Sequence, residues 1–133
     1  MTIESSRFVT PETLAWAQAA ARGVLLIKRC LSCSQVHYYP RPFCPFCFSN
    51  QTEYLESSGQ GEIYSFSITR TAKEPYVIAY VTLDEGPTLM TNIVETELKS
   101  IHIGQRVRVK FSGDLLGFPA PTFRVEMSAP GLA

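Results

Sequence analysis

The chemistry-bearing residues of this 133-residue chain are its four cysteines, which fall as Cys30-x-x-Cys33 and Cys44-Pro45-Phe46-Cys47 with ten residues between the pairs. Each C-x-x-C forms a tight turn that offers two thiolates to one metal. Four thiolates complete a tetrahedral set, the geometry of structural zinc. A bound cation lowers thiol pKa enough to deprotonate all four, which leaves the site net negative. Lys28 and Arg29 beside the first pair and Arg41 before the second can offset that charge. The alternatives are free or redox-active thiols, or iron, which an all-thiolate tetrahedron also accepts. A closed four-cysteine site has no open coordination position, so it staples a fold and does not activate water. His37 lies between the pairs and, with four thiolates already present, reads as a surface or packing residue. The surrounding segment, His37 to Phe43, is aromatic and proline-rich. It suits a cover over the metal or a contact surface.

Around this centre the sequence predicts a mainly β chain. Thr10-Pro11-Glu12 is a helix start, by hydroxyl capping, a proline tolerated in the first turn and an acid at the positive end of the dipole. The alanine-rich run from Leu14 to Ala21 has high helix propensity, and Gly23 is a stop. Leu14, Ala17 and Ala21 share one face. Trp16 points elsewhere, either onto the chain's own body or onto a partner, since Trp is enriched among interface hot spots. From Gly59 onward the pattern changes to strands: Glu62 to Thr69 with Tyr64, Phe66 and Ile68 on one face, Tyr76 to Leu83, Thr88 to Val94, Gln105 to Phe111, and Thr122 to Met127. Asp84-Glu85-Gly86-Pro87 is a turn, and Glu95 to Ile103 is a polar connection with room for a short helical turn. Three strands, a connection and two more strands match the order of a five-stranded OB-fold barrel. The expected organisation is an N-terminal helical segment over 1–26, a four-cysteine zinc ribbon over 27–56 and an OB-fold over 57–133.

Charge bounds the function. Twelve basic residues balance twelve acidic ones, whereas a general nucleic-acid binder carries a basic excess to pair phosphates. Arg106, Arg108 and Lys110 do form a basic stripe, but they alternate with valines and read as the solvated face of a strand. Met1 to Thr10 lacks the apolar core of a signal peptide, and the longest apolar runs are far short of a membrane span. A cytoplasmic location is expected, where thiols stay reduced and disulfides are uncommon. There is no phosphate loop, no dinucleotide glycine fingerprint, no H-E-x-x-H and no nucleophile elbow. His37 and His102 belong to no recognisable triad, and no catalytic residue can be named.

In order, the helix, "RCLSC", "HYYPRPFCPFC", "SGQGEIYSFSITR", "PYVIAYVTLDEGPTLMTNIV" and "IGQRVRVKF" closely resemble the DUF35 family, from about Leu14 to Phe123. Cys30, Cys33, Cys44 and Cys47 stand at its metal-ligand positions, and Pro40 and Arg41 at its Pro-Arg pair. Ser34 stands where a glycine often follows the second cysteine, and Tyr39 where a first proline is common.

The resemblance implies a rubredoxin-like zinc ribbon joined to an OB-fold, with zinc as a structural cofactor. It implies a non-catalytic subunit of a hetero-oligomer. Its partner would be a thiolase, a thiolase-like aldolase, a 3-hydroxy-3-methylglutaryl-CoA synthase or a hydratase subunit, in acyl-CoA or steroid side-chain metabolism. The partner carries the catalytic residues, and this chain helps shape the acyl-CoA site. By chemistry, Tyr38, Tyr39, Arg41, Arg70 and Lys73 are candidate acyl-CoA contacts, and Trp16, Tyr39 and Phe43 candidate partner contacts. The competing classes are a nucleic-acid-binding ribbon–OB protein and a rubredoxin-like electron carrier.

Overall fold

The computed structural model describes residues 9–70, 73–113 and 117–126. Helix α1 spans Leu14–Ala21. It starts later than Thr10-Pro11-Glu12 predicts, because Thr10 and Thr13 close a turn on each other first. The Thr13 N–H donates to the Thr10 carbonyl at 3.0 Å, and the Thr10 N–H donates to Thr13 Oγ1 at 2.8 Å. The Thr13 hydroxyl, engaged backward, makes no capping bond to the helix. At the other end the Val24 N–H reaches the Ala19 carbonyl and the Gly23 N–H the Ala20 carbonyl, with Gly23 at φ +80°. This is the Schellman arrangement that makes glycine the stop. The buried face is Ala17, Ala19 and Ala20, and Ala21 is exposed. The small alanine face packs closely against Phe118.

Three antiparallel strands form the ribbon sheet: β1 (Leu26–Cys30), β2 (Val36–His37) and β3 (Thr52–Glu56), in the order β2-β1-β3. The Tyr54 hydroxyl donates to the Glu12 carbonyl at 2.8 Å, which ties β3 to the turn before the helix.

The second sheet closes on itself. Strands β4 (Gln60–Thr69), β5 (Tyr76–Leu83), β6 (Thr88–Ile93), β7 (Arg106–Ser112) and β8 (Ala120–Val125) run in the order β4-β5-β6-β8-β7, with β7 returning to β4. β6 and β8 are parallel and the other neighbours antiparallel. This is the five-stranded OB-fold barrel that the strand order predicts. The polar connection carries a short 3₁₀ turn at Leu98–Ser100. Met127, placed in the last strand by pattern, lies outside the described residues.

Alternation works as expected on β5 and β6, where Val77, Ala79, Val81, Leu83, Leu89 and Ile93 point inward. It fails on β4. Ile63 pairs with Val81, but the next pair is Ser65 with Tyr80, so Tyr64 is an extra residue. This bulge turns Tyr64 outward, 67% exposed, and moves the inward phase from Ile63 to Phe66 and Ile68. The Gly59-x-Gly61 entry to β4 has a steric cause. A Cβ on Gly61 would sit 2.4 Å from the Thr82 carbonyl oxygen, and one on Gly59 would sit 2.6 Å from Val109 Cγ1.

One core spans both sheets. Leu25, Ile27 and Tyr38 of the ribbon join Ile63, Val81, Leu83, Leu89, Val107 and Phe123 of the barrel in a single buried cluster. The ribbon therefore sits at a fixed place on the barrel, which positions the metal centre and the groove described next.

Candidate metal centre and adjoining groove

The two cysteine pairs adopt the same backbone geometry. The Cys30 N–H donates to the Gln35 carbonyl at 2.9 Å, and the Cys44 N–H to that of Ser49 at 2.8 Å. The Ser34 N–H returns to the Cys30 carbonyl and the Phe48 N–H to that of Cys44, each at 2.9 Å. The residue after each second cysteine is left-handed, Ser34 at φ +66° and Phe48 at φ +64°. A glycine following the second cysteine, as the family resemblance leads one to expect, would adopt this conformation freely. Ser34 and Phe48 hold it despite their side chains.

Backbone N–H groups point at the sulfurs. Ser32 and Cys33 donate to Cys30 Sγ at 3.4 Å, and Phe46 donates to Cys44 Sγ at 3.3 Å. The Cys33 N–H, followed by that of Ser32, holds the Cys30 thiol down to about 6. The knuckles are stitched together by Ser32 Oγ and Ser49 Oγ at 2.8 Å and by the Leu31 N–H on the Gln51 carbonyl at 2.7 Å.

All four sulfurs lie within 4.8 Å of one another, with Cys30 to Cys47 at 3.5 Å and Cys33 to Cys44 at 3.6 Å. Tetrahedral zinc with Zn–S near 2.3 Å requires sulfur–sulfur edges of about 3.8 Å. The donor set fits a structural metal ion held by Cys30, Cys33, Cys44 and Cys47. Cys30 and Cys44 are buried, and Cys47 is at the surface.

Two of the three flanking cations have other partners. Arg29 forms an ion pair with Glu53 at 3.3 Å. Lys28 is buried, donates to Thr52 Oγ1 at 3.2 Å and lies 4.6 Å from the centre of the Tyr54 ring. Arg41 is exposed and is absent from the ion pairs of the described residues.

Beside the knuckles a groove of about 580 Å3 runs between the segment from Ser34 to Arg41 and the β5–β6 turn at Glu85 to Thr88. It brings Tyr38, Tyr39 and Arg41 together. Arg70 and Lys73 do not join them. They flank the β4–β5 loop, past the Thr69–Tyr76 pair, whereas the β5–β6 turn follows Leu83 at the opposite end of β5.

His37 lies in this groove and is not a surface residue: it is 6% exposed, on β2 opposite Lys28. Neither of its ring nitrogens has a hydrogen-bond partner among the described residues. Burial, then the charges of Lys28 and Arg41, push its pKa down and favour the neutral ring. Leaving a buried polar group unpaired costs about 1–3 kcal/mol. The residue type between two cysteine pairs was visible in the sequence. Its burial was not, because burial depends on which segments fold around it.

Trp16 packs onto the chain's own body. Its ring meets Tyr38 edge-on at 6.4 Å and Phe118 at 5.8 Å. Tyr39 and Phe43 are exposed, at 52% and 55%. Each cation of the basic stripe is matched by an acid: Arg106 with Asp84 at 2.8 Å, Arg108 with Glu126 at 3.2 Å, and Lys110 with Glu95. No helix among the described residues is long and apolar enough to cross a membrane.

Known proteins carry the same two units. The ChsH2 rubredoxin-like zinc ribbon domain matches residues 17–53, and the ChsH2 C-terminal OB-fold domain matches residues 54–112. A DUF35 domain-containing scaffold protein of Methanothermobacter thermautotrophicus is 34% identical over 110 residues, covering 77% of this chain and 83% of that protein. A probable enoyl-CoA hydratase alpha subunit of Thermomonospora curvata is 36% identical over 97 residues, covering 69% of this chain. The chain spans about 30% of the length of that hydratase relative. Among solved structures, a chain of an Ltp2-ChsH2(DUF35) aldolase superposes with a TM-score of 0.74 at 31% identity, covering 88% of this chain and 96% of that one.

Proposed function

The chain belongs to the DUF35 family, and we propose that it is a non-catalytic accessory subunit that docks on an enzyme of acyl-CoA metabolism. The observation that carries this reading is the surface of the ribbon. Leu31, Phe43, Phe46 and Phe48 are 55–78% exposed around the metal knuckles. Large apolar residues gathered in one exposed region mark protein contacts more often than solvent-facing surface. The names of two relatives, a scaffold protein and a hydratase subunit, and of an aldolase with the same fold support it.

Within this reading the partner is a thiolase-like or aldolase protein, and this chain stabilises its acyl-CoA site. Tyr39 and Phe43 face that partner. Trp16 supports the docking face from behind, through its contact with Tyr38. Arg41 in the groove and Arg70 and Lys73 apart from it are the candidate cations for a phosphate of acyl-CoA. A nucleic-acid role loses its main motive, because the basic stripe is matched by Asp84, Glu126 and Glu95.

The test is co-purification of the tagged chain with a thiolase-like or aldolase protein from its own cells. A Phe43→Ser, Phe48→Ser double variant should keep its fold and metal content and lose at least tenfold in affinity for that partner. A stable lone monomer in a lysate containing such a protein would sink the reading. Trp16→Ala is a poorer probe, because it also removes core packing.

A further inference from the structure

The outside of the barrel has two unlike halves. On β7 and β8 the outward positions carry charge: Arg106 and Arg108 are exposed and paired with Asp84 and Glu126, and Arg124 stands opposite Arg108. On β4, β5 and β6 they carry aromatic and apolar groups. The bulge residue Tyr64 is 67% exposed, and Tyr80 and Met90, paired directly across β5 and β6, are 46% and 56% exposed. Farther along β5, Tyr76 is exposed and Ile78 half-buried. Glu62 is the one charged residue that these three strands contain. Three polar side chains of this face are already bonded: the Thr82 and Thr88 hydroxyls meet at 2.9 Å, and Asn92 Nδ2 donates to the Val77 carbonyl at 2.9 Å. Covering the face therefore removes apolar area from water and breaks few hydrogen bonds.

The two ends of the face differ in sign. Glu62 pairs in register with Thr82. At the other end, past the Thr69–Tyr76 pair, the β4–β5 loop carries Arg70 and Lys73 against one acid, Glu74. Tyr76 and Thr82 are separated by about 20 Å of strand. In an isologous contact, residue i of one copy meets j of the other and j meets i. A twofold axis lying across the strands near Ala79 brings each Glu62 toward the Arg70–Lys73 loop of the other copy. No charge then lies near the axis to meet itself. Tyr80 of each copy stands over Ile78 of the other, where Tyr76, Ile78, Met90 and Asn92 line a hollow of about 320 Å3.

We propose that the β4–β5–β6 face is a homodimer interface, on which a second copy of this chain packs face to face with its strands antiparallel. Another protein could answer the apolar middle, but a neutral centre between ends of opposite sign fits the chain to itself. None of these residues belongs to the ribbon surface assigned to the enzyme partner, so the dimer goes beyond the accessory-subunit reading and does not depend on it. A three-strand face is at the small end of specific interfaces, which makes the dimer concentration-dependent.

The experiment is sedimentation velocity on the full metal-loaded chain, from low to high micromolar concentration. The mass should rise from that of one chain to that of two. Tyr80→Arg changes an exposed site and sets like charges together near the axis, so it should weaken self-association at least tenfold. Glu62→Lys and Lys73→Glu should each weaken it severalfold, and the two exchanged together should restore it, because the same pair then meets with signs reversed. A chain that stays monomeric throughout overturns the proposal, and Tyr80→Arg weakening the enzyme complex would then give the face to that partner. Self-association that Tyr80→Arg leaves unchanged places the contact elsewhere and overturns it too. A double exchange that restores nothing overturns the antiparallel arrangement. The accessory reading is tested separately by co-purification and stands or falls apart from these results.

Discussion

The ribbon and the barrel solve the same stability problem by different means. The barrel buries a layer of side chains from all five strands, with Ile63, Val81, Val107 and Phe123 at 0–1% exposure. The ribbon contributes three buried side chains, Leu25, Ile27 and Tyr38, to that core, with Val36 and Leu55 partly buried against it, and adds four sulfurs and the backbone bonds that repeat in its knuckles. A metal staple supplies what a short segment lacks in apolar burial. It also releases side chains from core service. Phe46 and Phe48 sit between and beside ligands yet face outward, at 60% and 78% exposure. The lesson is that the stapled half can present an apolar surface while the packed half holds it in place.

Removing the metal should break this division most strongly. Chelation, or Cys44→Ser, should unfold the ribbon, since structural zinc supplies on the order of 10 kcal/mol of folding free energy in small zinc domains. Backbone NMR should show residues of β1 to β3 losing dispersion while β4 to β8 keep theirs. Loss of both sets together would mean that the shared core makes the two regions one cooperative unit.

The converse change is Phe123→Ala at the centre of the barrel. Truncating a buried phenylalanine costs about 3–5 kcal/mol, and denaturant unfolding should show a loss of that size with metal content unchanged. Ser34→Gly tests the knuckle. It relieves a left-handed non-glycine residue, worth about 1–2 kcal/mol, and returns part of that as unfolded-chain entropy. A net gain of about 0.5–1 kcal/mol is expected, and a loss would show that the serine side chain has a structural role.

The smallest effect belongs to the surface pair of Asp84 and Arg106. Hydrogen bonding by Arg106 lowers the Asp84 pKa from its ordinary 3.8. A lowered carboxylate stabilises the fold above its unfolded pKa and loses that contribution as pH falls through the folded value. Asp84→Asn should therefore cost less than about 1 kcal/mol at neutral pH, the usual worth of an exposed pair. The difference from the parent chain should vanish in acid, and a difference that persisted there would assign the effect to packing.

Much of this could be read directly from the chain. Cysteine spacing stated the donor set, because ligand chemistry and tight-turn length are local. Alternation on β5 and β6 located the barrel, because inward and outward side chains repeat every two residues whatever the fold. Gly23 marked the helix end, because few residues accept its backbone angles. Tyr64 was misplaced because a one-residue bulge reverses the phase of a strand, and only pairing with β5 shows it. The basic stripe looked free because its acids, Asp84, Glu95 and Glu126, are distant in sequence from the cations they meet.

The sequence by itself determined the metal ligands, the strand order and the family resemblance, all of which follow from residue types at short or regular spacing. Tertiary structure alone decided that Trp16 closes onto Tyr38 and Phe118, that the stripe is matched by acids, and that His37 is buried. Those facts arise where segments tens of residues apart are pressed together, and burial and pairing are properties of that contact rather than of any one segment.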